Sequence, residues 1–144
     1  MNTAILETWD AQLRNLTHEQ PVALAFLDSL PAGVPKRPAP QASGCSFWKV
    51  AADSAPFYTE ASDHLGCTVG AYTHGADLPP PKAEELSSII GTMVNLSYVK
   101  EEEVPQIPRR SAPLRYVVYA PLGRSPVPPD VVLVRGNARQ LMQR

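Results

Sequence analysis

Sixteen prolines in 144 residues constrain this chain before any other residue is weighed. Proline fixes φ and withdraws a backbone donor, so it ends helices and is barred from central strands. The content is about twice the ordinary level near 5%, and it is clustered. Pro31, Pro35, Pro38 and Pro40 fall in one stretch, Pro79-Pro80-Pro81 in a second, and Pro121, Pro126, Pro128 and Pro129 in a third, with Pro21, Pro56, Pro105, Pro108 and Pro113 outside them. Between these breaks only short helices and short strands have room. The expectation is one α+β domain over residues 1–144, with three to four strands, about three helices and long Pro-rich loops.

The segments between the prolines can be read for period. Ile5, Leu6, Trp9, Leu13 and Leu16 recur at helical spacing behind Thr3, a capping residue type. Val22 to Leu27 is an apolar run bounded by Pro21 and Asp28, the pattern of a buried strand. Cys45 to Ala52 suits a short helix entered from Gly44, and Val69 to Thr73 suits a strand. Leu86, Ile89, Ile90, Met93 and Val94 trace one apolar helical stripe, with Glu84 and Glu85 expected in its first turn. Tyr116 to Ala120 and Val131 to Val134 read as strands joined by a loop, and Asn137 can cap a last short helix with Leu141 and Met142.

Composition excludes several classes. No apolar run approaches the ~20 residues that span a bilayer. Met1 to Asp10 lacks the basic start of a secretory signal and carries Glu7 and Asp10, so a cytoplasmic location is expected. Two cysteines cannot make a disulfide scaffold. Residues 1–104 hold 13 acids against 6 Lys and Arg, whereas residues 105–144 hold 7 Arg against Asp130 alone. Those arginines are scattered rather than set on one helix among aromatics. Pairing between the two halves is therefore expected in preference to nucleic-acid binding.

Chemistry-bearing residues gather in one window. Residues 45–74 contain both cysteines (Cys45 and Cys67), two of the three histidines (His64 and His74) and five of the ten aromatics. One reading is a metal or metallo-prosthetic site (zinc, an Fe–S cluster or haem) held by Cys45, Cys67, His64 and His74 and flanked by Trp48, Tyr58 and Tyr72. The order contains His-x2-Cys at 64–67 but no Cys-x2-Cys pair. A second reading is thiol catalysis, with Cys45 activated at a helix start, His64 or His74 as base, Asp63 or Asp77 as orienting carboxylate and Cys67 as resolving thiol. A third makes the cysteines small core hydrophobes and the histidines turn residues. His18 falls outside the window and reads as a surface residue. Gly66, Gly70 and Gly75 suggest tight turns, but no nucleotide-binding or Gly-x-Ser-x-Gly motif is present.

Several segments are familiar in order: Gly44-Cys45-Ser46-Phe47-Trp48-Lys49-Val50-Ala51, Asp63-His64-Leu65-Gly66-Cys67-Thr68-Val69-Gly70, Tyr72-Thr73-His74-Gly75, and Pro129-Asp130-Val131-Val132-Leu133-Val134. From Pro21-Val22 to the C-terminus the chain resembles the family called domain of unknown function one-six-nine, whose biochemical function is unsettled. The resemblance implies that Cys45, Asp63-His64 and Cys67 form the family motif. Similar members continue beyond the segment matching Asn137 to Met142. That implies a reduced form, or completion by a partner subunit or a second copy, and hence a homo-oligomer or a subunit of a larger assembly.

Overall fold

Six apolar residues between Pro21 and Asp28 lie at the middle of the molecule. The computed structural model describes residues 3–37 and 44–142, with the Cys45 side chain outside that description. β1 (Val22–Leu27) is an inner strand, antiparallel to β3 (Tyr116–Pro121) on one side and to β4 (Val131–Leu133) on the other. β2 (Phe57–Glu60) adds to β3, giving the order β2-β3-β1-β4. Five helices complete the described domain: α1 (Thr3–Thr17), α2 (Gly44–Ala52), α3 (Thr68–Thr73), α4 (Pro80–Asn95) and α5 (Ala138–Leu141). Short 3-10 segments lie at Ala61–His64, Glu101–Gln106 and Leu122–Arg124. The domain is mixed α+β, as the proline breaks require.

Strand alternation divides the sheet into two unlike faces. On one, Val22, Leu24, Phe57, Val117 and Tyr119 join Phe47 and Ala51 of α2 and Ala71 of α3 in the main core. On the other, Ala23 meets Leu6 of α1 and the buried Leu122. Small side chains there let α1 lie close, and Asp10 of α1 accepts the Gly123 N–H at 3.2 Å. The free edge of β2 is capped by loop residues, with Tyr58 N–H donating to the Pro35 carbonyl and Arg37 N–H to the Tyr58 carbonyl. That covers an edge which would otherwise offer bare backbone groups.

Three expectations need correction. Val69 to Thr73 is not a strand but the body of α3, started at Cys67. The edge slot beside β3 goes instead to Phe57–Glu60, whose buried and half-buried residues alternate. Pro80 and Pro81 do not precede the fourth helix but form its first turn, where a missing N–H costs nothing. Glu84 and Glu85 consequently sit past that turn, and Glu85 pairs with Lys82 at 2.6 Å. The stripe on α4 is also less covered than its period suggests: Leu86 alone is buried, while Ile90 and Val94 border an open groove with Val104 and Pro105.

The acidic and basic parts of the chain meet within the fold. Arg109 faces Asp77 at 4.0 Å, Arg115 faces Asp28 at 3.9 Å, and Arg135 bonds Glu19 at 3.0 Å. Among the described residues no helix is long and apolar enough to cross a membrane.

Candidate functional site

The core face of the sheet ends in a pair of histidines. After β2 the chain turns through Ala61–His64, and the Asp63 carboxylate fixes the turn by accepting the Glu60 N–H at 2.8 Å. This swings the His64 ring back beneath the strand it has just left. There its Nε2 lies 2.9 Å from the Thr59 hydroxyl. Both residues are sealed, Thr59 at 0% exposure and His64 at 1%. The ring packs against Phe47 at 5.1 Å and Tyr119 at 6.4 Å between centroids.

His74 arrives from a separate element. It follows α3 and caps its C-terminus, its ring centroid 5.3 Å from that of His64 and 5.5 Å from that of Phe26. Its Nδ1 lies 2.7 Å from the Gly70 carbonyl. A carbonyl only accepts, so this contact places a proton on Nδ1. In the neutral ring it leaves the Nε2 lone pair free.

Burial sets the charge of His64. Loss of water, and then the neighbouring His74, push its pKa down to about 4, with Asp63 opposing weakly. The ring is therefore neutral near pH 7. Its Nδ1 has no hydrogen-bond partner among the described residues. Buried orphaned N–H groups are rarer than orphaned acceptors. That favours a proton on Nε2, donated to Thr59, and a bare lone pair at Nδ1. The pair thus presents two imidazoles, each fixed through one ring nitrogen by a protein oxygen. This is the usual support for a metal-ligating histidine.

The other residues named from sequence are dispersed around the pair. Cys67 begins α3, its N–H bonded to the His64 carbonyl at 3.2 Å, and it carries a half-buried free thiol. Cys45 lies in the first turn of α2, and its thiol falls outside the described side chains. Among the described residues no three of His, Cys, Asp and Glu come together as a metal-binding group. Asp63 is engaged by the Glu60 N–H and lies 3.8 Å from Lys36, and the Nε2 partner of His64 is Thr59. Asp77 is exposed beside Arg109.

Of the flanking aromatics, Trp48 packs against the core with Arg135 5.0 Å from its ring, and Tyr72 carries Arg109 at 4.9 Å. Tyr58 is on the opposite face of the sheet from Thr59 and meets Tyr116 edge-on, so it does not flank the pair. The true neighbours are Phe47, Thr59, Tyr119 and Phe26. The Phe57-Tyr58-Thr59-Glu60 alternation was the one signal that separated Thr59 from Tyr58.

A family profile described as DUF169, an uncharacterised ArCR family, matches residues 14–143, nearly the whole chain. No curated protein matches the chain, and no solved structure does. By that coverage, which takes in the histidine pair and every strand, the chain belongs to the DUF169 family.

Proposed function

We propose that this protein holds a transition-metal ion or a metallo-prosthetic group at His64 and His74 and serves in redox or cofactor handling in the cytoplasm. One observation carries the reading. Among the described residues, His64 Nδ1 is buried without a partner beside a second imidazole whose own Nδ1 is taken by the Gly70 carbonyl. Two imidazoles on one tetrahedral ion, with metal–nitrogen bonds of about 2.0–2.1 Å, hold their ring centroids roughly 5 Å apart. The 5.3 Å separation matches that arrangement. A pKa near 4 keeps His64 unprotonated and able to donate its lone pair at neutral pH.

Cys67, three residues beyond His64 and with a free thiol, is the nearest sulfur ligand in sequence, and Cys45 is the other cysteine the family motif supplies. Imidazole with thiolate suits zinc or iron. The free thiol of Cys67 also fits a reducing compartment. The chain's own residues orient the two rings and exclude water from one of them.

Metal analysis and visible absorption of protein purified without oxygen, followed by titration of the chelator-treated chain with cobalt(II), test the reading. The expected result is one metal per chain, lost in both His64→Gln and His74→Ala while the chain stays folded. A folded natural chain that takes up no more metal than the two variants refutes it.

A further inference from the structure

Beyond the histidines, the segment after Glu101–Gln106 returns across the end of α3 as a strap. Arg110 N–H donates to the Thr73 carbonyl at 2.9 Å, and Leu114 N–H to the Gly75 carbonyl at 3.2 Å. Gly75 makes this approach possible. Its φ is +83°, and a Cβ there would sit 2.7 Å from the Ala112 carbonyl oxygen and 2.9 Å from that of Arg110. The strap therefore runs against backbone that no side chain separates from it.

What the strap delivers is two guanidinium groups from consecutive residues. Arg109 lies over the Tyr72 ring at 4.9 Å and Arg110 over the Phe26 ring at 5.3 Å. Tyr72 is two residues before His74, and Phe26 is its ring neighbour at 5.5 Å. Stacking occupies the face of a guanidinium and leaves its N–H edge available. Arg110 Nη1 bonds the Ala112 and Pro113 carbonyls, at 2.7 and 2.9 Å, which fix the group without neutralising it. Among the described residues Arg110 has no carboxylate partner. The carboxylate of Arg109 is Asp77, 4.0 Å away and 98% exposed, a weak and solvated pairing. Two oriented cations thus flank the end of α3, Arg110 beside His74 through Phe26 and Arg109 on Tyr72 with only the solvated Asp77 opposite it.

We propose that the Arg109–Arg110 strap is an anion-recognition element that takes a carboxylate- or phosphate-bearing small molecule at the His74 edge of the site. The inference rests on the preceding reading for location alone. The anion is bound by guanidinium edges and does not require an ion at the histidines. A planar fork matches both anions in two-point contact, which a lysine cannot do.

The test uses the chelator-treated full chain, titrated separately with citrate and with inorganic phosphate, while the His74 ring resonances are followed by NMR. Saturable shifts at His74 with one or both anions are expected, weakened at least about tenfold in Arg109→Gln and in Arg110→Gln. Arg115→Gln, which removes a cation that directly follows the strap and faces Asp28 at 3.9 Å, should bind as the natural chain does. His64→Gln, which removes a proposed metal ligand, should retain anion binding, so failure of the metal reading and failure of this one are separable. Arg109→Gln is the deciding variant, because among the described residues its side chain makes no backbone hydrogen bond that holds the strap. The inference is overturned by unsaturable shifts, by tight binding that survives Arg109→Gln, or by equal weakening in Arg115→Gln. Citrate against phosphate then tells which anion class the strap prefers.

Discussion

One sheet supports two faces built on different rules. The face under α2 and α3 is filled with rings: Phe47 meets Phe57 at 6.3 Å, Tyr119 at 5.5 Å and His64 at 5.1 Å. The face under α1 is centred on Ala23 and Ala120, with Leu6 and Leu122 above them, and it leaves Trp9 46% exposed and Leu16 48% exposed. Large rings make a box stiff and dry enough to hold a polar ring whose Nδ1 has no partner among the described residues. Alanines make a smooth floor that a helix can approach but that encloses nothing. The polar chemistry sits where the walls are aromatic, because a bare imidazole lone pair persists only where water is kept out by residues that cannot easily move.

The difference is broken most severely by Phe47→Ala. Phe47 is fully buried at the centre of the ring cluster. Its truncation is expected to cost about 3–5 kcal/mol in a urea unfolding experiment. The cavity would open beside His64, so the His64 pKa, followed by NMR, should rise from about 4 toward its ordinary value. Lost stability with an unmoved His64 titration would mean that Phe47 does not keep His64 dry.

How far all this could be read from sequence depends on what each element answers to. α1, β1, α2 and β3 were legible because their apolar period or run is their own property. α3 was not. Val69, Tyr72 and Thr73 have strand-like side chains, yet the edge beside β3 was already filled by Phe57–Glu60. The site shows the same division. His64 and His74 stood out by local clustering, whereas Phe26 and Tyr119 reach them only through strand register, with Leu24 opposite Tyr119 and Phe26 opposite Val117. Tyr58 was misplaced because a window count cannot tell the two sides of a strand apart. The α4 stripe was visible as a stripe, but periodicity carries no information on whether a second surface exists to cover it.

Acid sharpens the contrast next, because among the described residues only the ring-lined face contains a titrating group that burial keeps neutral. The His64 pKa falls from 6.5 in the unfolded chain to about 4 in the fold. Between those values the unfolded chain binds a proton that the folded chain refuses. Stability contributed by neutral burial is therefore complete above about pH 6.5 and is lost as pH falls toward 4, by up to about 3 kcal/mol. Denaturant midpoints from pH 7.5 to 4 should show this decline, and His64→Gln should flatten it. An unchanged slope in the variant would assign the acid sensitivity elsewhere.

The mildest test is made on the alanine face, with an aromatic of its own. Trp9 has greater area than Phe47, so residue size alone predicts a larger loss on truncation. It lies, however, on an open groove bordered by Leu13, Leu16, Val132 and Val134, with nearly half its surface already in water. Only the covered part is returned to solvent by Trp9→Ala, and the neighbours can close over the gap because nothing is packed on their outer side. Full burial of a large apolar side chain contributes about 1.5–3 kcal/mol, so roughly 1 kcal/mol is expected here. His64 should titrate unchanged, since β1 and β3 stand between the two rings. If Trp9→Ala costs as much as Phe47→Ala, or shifts His64, then the faces are not independent and the dryness of the histidine pair is a property of the whole sheet.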